Sequence, residues 1–307
     1  MTIAAVIGLG TMGPGIAATL ARGGMKIRVY DTSAEALEKA PGMVAMAFGV
    51  LDRLDMPDKG SADDISYHTD LAEAVDGVDL VVETVPEKLE IKAAVFAELD
   101  KHVSKDCVLA SNTSGIPITK LQEGISNPGR VIGMHWSNPP MIIPMIEVIA
   151  GGQTDQGTVD WMCDTIRGLN LLPVVVKKDV AGFVENRILY AIMRESVDLV
   201  EQGVIDAEGL DTCVQWGIGY KLAIIGPMAL LDMAGLDIYQ AVGSYLNAEL
   251  CNRPDVSPYI TDRTKDGNLG QKTGSGIFSY TPDDVQRLRG ERAAAFVAVR
   301  KALEGKS

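Results

Sequence analysis

Short apolar runs alternate with amphipathic stretches as far as residue 180, and there the alternation stops. TIAAVIG (2–8), KIRVYD (26–31), ISYH (65–68), DLVVETV (79–85), CVLASNTS (107–114) and LLPVVVK (171–177) read as strands. Their continuous apolar character, clearest in DLVVETV, is the pattern of parallel strands buried on both faces. Between them lie the Ala-rich PGIAATLARGG, a helical stretch over 34–66 broken by Pro41-Gly42 and by MPDKGS, a short capped helix, KLEIKAAVFAELDKHV, and a helix over 154–168. Strand and helix in alternation predict a Rossmann-type, doubly wound α/β domain over residues 1–180.

Residues 181–307 carry no clear strand pattern. GFVENRILYAIMRESVDLVEQG has apolar residues at helical spacing, among them Ile188, Leu189, Ile192 and Val197. GPMALLDMAGLDIYQAVGSYLNAEL reads as a pair of apolar helices. Thr281-Pro282-Asp283-Asp284 supplies an N-cap, a proline at the first helical position and an acidic first turn. An all-helical C-terminal domain is expected. Met228, Leu230, Leu231, Met233 and Ile238 make it more apolar than a lone domain of this size needs, which points to a homodimer.

One stretch of the first domain breaks the alternation. VIGMHWSNPPMIIPMIEVI (131–149) reads as two strands around a proline-rich turn. His135 and Glu147 are equidistant from Met141, so a hairpin centred there sets them face to face, about 5 Å apart. A histidine backed by a carboxylate is the minimum apparatus of a positioned general base. A core histidine that merely meets a glutamate fits the same pattern.

The first strand runs into Gly8-Leu9-Gly10-Thr11-Met12-Gly13, then a helix, then a strand that closes on Asp31. In that setting the glycines are a dinucleotide fingerprint. Gly8 makes the tight turn, Gly10 admits a pyrophosphate, and Gly13 lets the helix pack on the strand, with Thr11 and Met12 beside the phosphates at the helix start. Asp31 suits the ribose hydroxyls and repels a 2′-phosphate, and Thr32 and Ser33 offer no arginine, so the expected cofactor is NAD rather than NADP. Asn112 at the end of CVLASNTS and Glu87 after DLVVETV join the cofactor-binding candidates. Ser114 and His135 also fall at strand ends, where such sheets bind ligands.

Net charge is −13, with 41 acidic and 28 basic residues, which disfavours nucleic acid and anionic membranes as partners. No apolar run reaches the ~18 residues of a membrane span, and no basic segment precedes the N-terminal apolar run, so neither a membrane segment nor a signal peptide is expected. Cys107, Cys163, Cys213 and Cys251 stand far apart without a CxxC, so no metal site is expected and free thiols in a reducing cytoplasm are.

GLGTMGPGIA, VYD, DLVVETVPE, ASNTS, the His-x-x-Asn-Pro of residues 135–139, Glu147, GFVENR, GPMALLDMAGLD and KTGSGIF together resemble the 3-hydroxyacyl-CoA dehydrogenase family along nearly the whole chain. The resemblance implies that His135 is the general base and Glu147 its orienting carboxylate. It implies that Ser114 and Asn186 donate to the reacting oxygen, and that Asn138 lies next to the catalytic histidine. Read from the residues alone, Ser114 could also cap a turn, Asn186 could be a surface amide, and Asn138 could only shape its turn.

Three features differ from acyl-CoA members of that family. Residues 32–78 are too few for the usual CoA-clamping hairpin, and their bases are only Lys39, Arg53 and Lys59, against Asp52, Asp55, Asp58, Asp63 and Asp64. GIGYKLAIIGPM (217–228) implies a lengthened loop carrying Lys221, and Trp136 replaces a smaller ring. The expected substrate is therefore small and carboxylate-bearing. Lys221 is the first candidate to meet that carboxylate, with Lys120 and Arg187 behind it. MHWSNPP, IIPMIEVIAG and GFVENR further resemble a family member whose activity implies oxidation of an aldehyde to an acid, which His135 would serve by activating a water to give a hydrate that loses hydride. The alternatives are an L-3-hydroxyacyl-CoA (3-hydroxybutyryl-CoA) or another small hydroxy acid such as carnitine.

Overall fold

The computed structural model describes residues 2–305. The chain divides into two compact units, Met1–Asn186 and Arg187–Ser307.

The first unit is built on β1 (Ile3–Ile7), β2 (Lys26–Tyr30), β3 (Ile65–His68), β4 (Leu80–Glu83), β5 (Val108–Ser111), β6 (Val131–Trp136), β7 (Met145–Ala150) and β8 (Leu172–Val176). They form one sheet in the order β3-β2-β1-β4-β5-β6-β7-β8. β1 to β6 are mutually parallel, β7 returns antiparallel to β6, and β8 runs parallel to β7. The winding reverses between β1 and β4, the switch point at which ligands enter sheets of this kind.

The central strands are continuous apolar runs because both of their faces are covered. All four residues of β4 are buried. Ala5, Ile7, Val81, Leu109, Val131 and Ile149 pack in one cluster with Phe96 and Leu99 of the helix Leu89–His102. Ala4 and Val6, equally buried, alternate to the opposite face.

Two local readings of the sequence are corrected. The helix Ala34–Arg53 runs through Pro41 instead of breaking there, because Ala40, Val44, Ala47 and Leu51 form a buried stripe that outweighs the one hydrogen bond the proline forfeits. The second expected break, at MPDKGS, is present: Met56–Gly60 is irregular. The GIGYK segment is no loop: a π-helical turn, Cys213–Gly219, continues into Tyr220–Leu222.

The glycine turn is fixed by close approaches. Gly8 has φ +103°, a backbone region that favours glycine. A Cβ on Gly13 would lie 2.0 Å from the Gly8 carbonyl oxygen, so only glycine lets the helix Gly13–Arg22 start there. A Cβ on Gly15 would lie 2.7 Å from Pro140, which seats the β6–β7 turn directly on that helix.

The second unit is helical. It comprises the rest of the helix Glu185–Glu201, then Ala207–Thr212 with Asp206 as N-cap, the π turn, Pro227–Ala234, Leu236–Glu249, Pro258–Lys265 and Pro282–Glu304, the last with a Thr281/Asp284 capping box. Among its described residues only Ser257, Val297 and Arg300 are buried. Trp216, Met228, Met233 and Leu236 stand more than half exposed. No single described helix is long and apolar enough to cross a membrane.

Two glycine substitutions separate packing from ligand space. Gly13→Ala should cost about 1–3 kcal/mol in urea unfolding, because the new methyl meets backbone. Gly10→Ala, whose Cβ would meet nothing within 4 Å, should leave the midpoint unchanged.

Candidate active site

The β6–β7 register pairs His135 with Glu147, as the symmetry about Met141 requires. His135 Nδ1 and Glu147 Oε2 are 2.8 Å apart, and both side chains are buried. Their hydrogen bond makes Nδ1 the protonated nitrogen, since the carboxylate can only accept, and leaves Nε2 as the basic one. Phe183 covers the imidazole, with ring centroids 5.8 Å apart.

The second oxygen of Glu147 is also engaged. Oε1 accepts the backbone N–H groups of Val184 (2.9 Å) and Glu185 (3.1 Å), where the helix Glu185–Glu201 begins. The start of a helix carries unpaired N–H groups and positive partial charge, and the buried carboxylate satisfies both. Gly182 (φ 76°) and Phe183 (φ 48°) turn the chain into that position through the left-handed region, a strained conformation for the buried phenylalanine. Burial by itself pushes the Glu147 carboxyl up; the His135 ring and the N–H groups of Glu185 and Val184 outweigh it and hold the carboxyl below 4.5.

The same helix start carries Asn186, whose Nδ2 donates to the Ser114 carbonyl at 2.8 Å. Asn186 and Ser114 are thus brought together, with the exposed Ser114 hydroxyl left without an internal partner among the described residues. Glu87 grips the Ser114 turn: its Oε1 accepts the Thr113 hydroxyl (2.6 Å) and the N–H groups of Ser114 (2.9 Å) and Gly115 (3.2 Å). Glu87 therefore shapes the loop whatever else it touches. Behind it Lys92, fully buried, bonds Glu83 Oε1 at 2.7 Å and lies 3.4 Å from Glu87. Glu83 Oε2 accepts the Ser111 hydroxyl at 2.6 Å.

Asn112 is spent inside the protein as well. Its Oδ1 accepts the Trp136 N–H at 2.8 Å and ties the end of β5 to β6 beside His135. Asp31 accepts Leu9 N–H and Ser33 N–H, each at 2.7 Å, which closes the glycine turn onto the end of β2. The helix at Gly13 has no side-chain cap and no acid in its first turn. Space beyond Gly10 is open on the protein side. These features fit a dinucleotide: free N–H groups for phosphates and a glycine with no internal reason to be one. Asn138 is exposed at a cis Asn138–Pro139 bond in the hairpin turn. Lys221 and Arg187 are exposed in the second unit, and Lys120 pairs with Glu123 at 3.2 Å.

Residues 3–180 match the 3-hydroxyacyl-CoA dehydrogenase NAD binding domain, and residues 182–280 match the C-terminal domain of the same enzymes. The chain belongs to the 3-hydroxyacyl-CoA dehydrogenase family. It is 58% identical to the 5-formyl-3-hydroxy-2-methylpyridine 4-carboxylate 5-dehydrogenase of Mesorhizobium japonicum, over 98% of each chain. It is 35% identical to a probable 3-hydroxybutyryl-CoA dehydrogenase of Deinococcus radiodurans, over 90% of this chain and 99% of that one. A crystal structure described as 5-formyl-3-hydroxy-2-methylpyridine 4-carboxylic acid 5-dehydrogenase, an NAD+ dependent dismutase, superposes with a TM-score of 0.96 at 57% identity over 99% of both chains. The chain is accordingly an NAD-dependent dehydrogenase.

Four polar residues of the site were given no role by the sequence, although Glu83, Ser137 and Glu185 lie inside segments that carry the resemblance: Glu83, Lys92, Ser137 and Glu185. Glu83 announces itself only as a charge ending a buried strand, and Lys92 as its partner nine positions on. Ser137 donates to Glu185 Oε2 at 2.5 Å. His135, Glu147 and Glu185 bring ligand atoms within 4.8 Å of one another. Both Glu147 oxygens and His135 Nδ1 are already engaged, so a cation there would find mainly Glu185 and one ring nitrogen. Burial pushes the Cys107 thiol up to about 12, which removes it as a thiolate nucleophile.

Glu147→Gln should lower kcat by about 10²-fold or more while NAD affinity, read by fluorescence titration, stays unchanged. Its folded carboxyl lies below the unfolded value of 4.5, so its stabilising contribution is present above about pH 4.5 and is lost as pH falls through the folded value. In acid unfolding the wild type should lose more stability below that pH than Glu147→Gln does.

Proposed function

We propose that this chain oxidises 5-formyl-3-hydroxy-2-methylpyridine 4-carboxylate to the 5-carboxylate with NAD. The 58% identity to the M. japonicum enzyme over 98% of both chains carries the reading. Two features of this chain support it. The segment after β2 holds one helix where a CoA clamp would need two, and its tail is acidic. No thiol needs to be invoked, because a base that activates water serves an aldehyde as well as one that activates an alcohol.

In this reading His135 Nε2 takes a proton from water as the water attacks the formyl carbon, and Glu147 meets the positive charge that appears on the ring. The hydroxyl of Ser114 and the amide of Asn186 stabilise charge on the substrate oxygen. Bound NAD would supply the hydride acceptor, held by Gly8, Gly10, Thr11, Met12, Gly13 and Asp31, with Asn112 and Glu87 shaping the nicotinamide end. Asn138 borders the substrate, and Lys221 is proposed to receive its carboxylate. The enzyme works in the cytoplasm on a small molecule, without nucleic acid or membrane as partner.

We also propose a homodimer. A helical unit of this length ordinarily buries a core of its own. Here almost none of its side chains is buried within one chain, and Trp216, Met228 and Met233 are 72%, 74% and 70% exposed. A second copy, presenting the same apolar helices, covers such a face by symmetry.

NADH formation should be rapid with the pyridine aldehyde and slow with 3-hydroxybutyryl-CoA and L-carnitine, and His135→Ala should abolish the first while leaving NAD bound. Micromolar KM for the CoA thioester would replace the substrate reading. Sedimentation should give a dimer mass, and Met228→Glu with Met233→Glu should reduce it to that of one chain; a wild-type monomer at micromolar concentration would rule the dimer out.

A further inference from the structure

We propose that Glu185, with Ser137, is a proton relay beside the His135–Glu147 dyad, clearing the second of two protons that aldehyde oxidation releases. The inference rests on the aldehyde reading above. The reaction balances as RCHO + H2O + NAD+ → RCOO− + NADH + 2 H+. The water oxygen bonds to the formyl carbon and the carbonyl π pair moves to its oxygen. The C–H pair leaves as hydride, so the aldehyde carbon is oxidised by two electrons and the nicotinamide reduced. One proton comes from the attacking water and one from the carboxylic acid formed. Oxidation of an alcohol to a ketone releases a single proton.

A lone dyad is matched to the one-proton reaction. Nδ1 of His135 is held by Glu147 Oε2 at 2.8 Å, so Nε2 is the one place where the ring can receive a proton, and it holds one at a time. Glu147 cannot take the excess, because its Oε1 is occupied by two backbone N–H groups. Two protons per turnover therefore call for a further acceptor within a short hop of the ring.

Glu185 has the required place and freedom. Its ligand atom lies within 4.8 Å of those of His135 and Glu147, a separation that a single water is large enough to span. Its backbone N–H bonds Glu147 Oε1, which fixes it at the helix start against the dyad. Oε2 accepts the Ser137 hydroxyl at 2.5 Å, a bond that orients the carboxylate. It is half-buried, so a proton that reaches it can pass to solvent. The other two carboxylates of this polar network, Glu83 and Glu87, are engaged by Lys92, whereas Glu185 has no lysine or arginine partner among the described residues. The relay acts through His135 and does not touch the reacting carbon.

Glu185→Gln tests this, because the amide keeps an acceptor for Ser137 and the same volume but cannot take a proton. With the pyridine aldehyde in dilute buffer, kcat should fall about 10-fold or more. Added imidazole should restore it, KM and NAD affinity should not move, and Glu185→Asp should retain part of the rate. Ser137→Ala, which leaves the carboxylate but frees it to swing, should show a smaller loss with the same buffer rescue, and serves if Glu185→Gln does not fold. A wild-type kcat in Glu185→Gln overturns the relay alone, as does a loss that imidazole does not restore. A wild type that forms no NADH from the aldehyde overturns the substrate reading and the relay with it.

Discussion

The site hangs on one buried carboxylate, Glu147. Its two oxygens join three separate parts of the chain: the histidine opposite it on β6, its own strand β7, and the first turn of the helix Glu185–Glu201. A buried ionised carboxylate is costly unless every lone-pair direction is used. Satisfying it is what places the helix start, and the helix start is what carries Asn186 to Ser114 and Glu185 to Ser137. The left-handed backbone at Phe183 is the strain that this placement costs.

A second buried network steadies the opposite wall. Lys92, out of reach of water, is neutralised by Glu83 and leans on Glu87, and Glu87 holds the turn that bears Ser114. Residues read from the sequence as cofactor-binding thus do structural work as well. Glu87, Asn112 and Asp31 each spend at least one oxygen on a backbone N–H. Such groups arrive at a ligand already oriented, which is the property preorganisation requires.

Strand and helix positions in the first unit were legible because buried parallel strands are continuous apolar runs, and the His135–Glu147 pairing was legible because hairpin symmetry is arithmetic. The break expected at Pro41 fails because propensity is local while the buried stripe from Ala40 to Leu51 is not. Lys221 was placed in a lengthened loop by comparison with the family's shorter segment; its segment is helical instead, a π turn over Cys213–Gly219 running into Tyr220–Leu222. Glu185 lies inside GFVENR, but that motif drew attention to Asn186 and gave Glu185 no role. Its significance lies in distances to groups 38 and 48 positions away, which no spacing rule encodes.

By itself the sequence determined the Rossmann-type sheet, the glycine turn that selects a dinucleotide, and the facing of histidine and carboxylate. Each follows from contacts close in sequence or from a period of hydrophobicity. Only the tertiary structure decided which polar groups are spent on holding the protein together and which stay open. The reason is physical: a hydrogen bond acceptor is used up by whichever donor the fold brings within 3 Å of it, and that donor can come from anywhere in the chain.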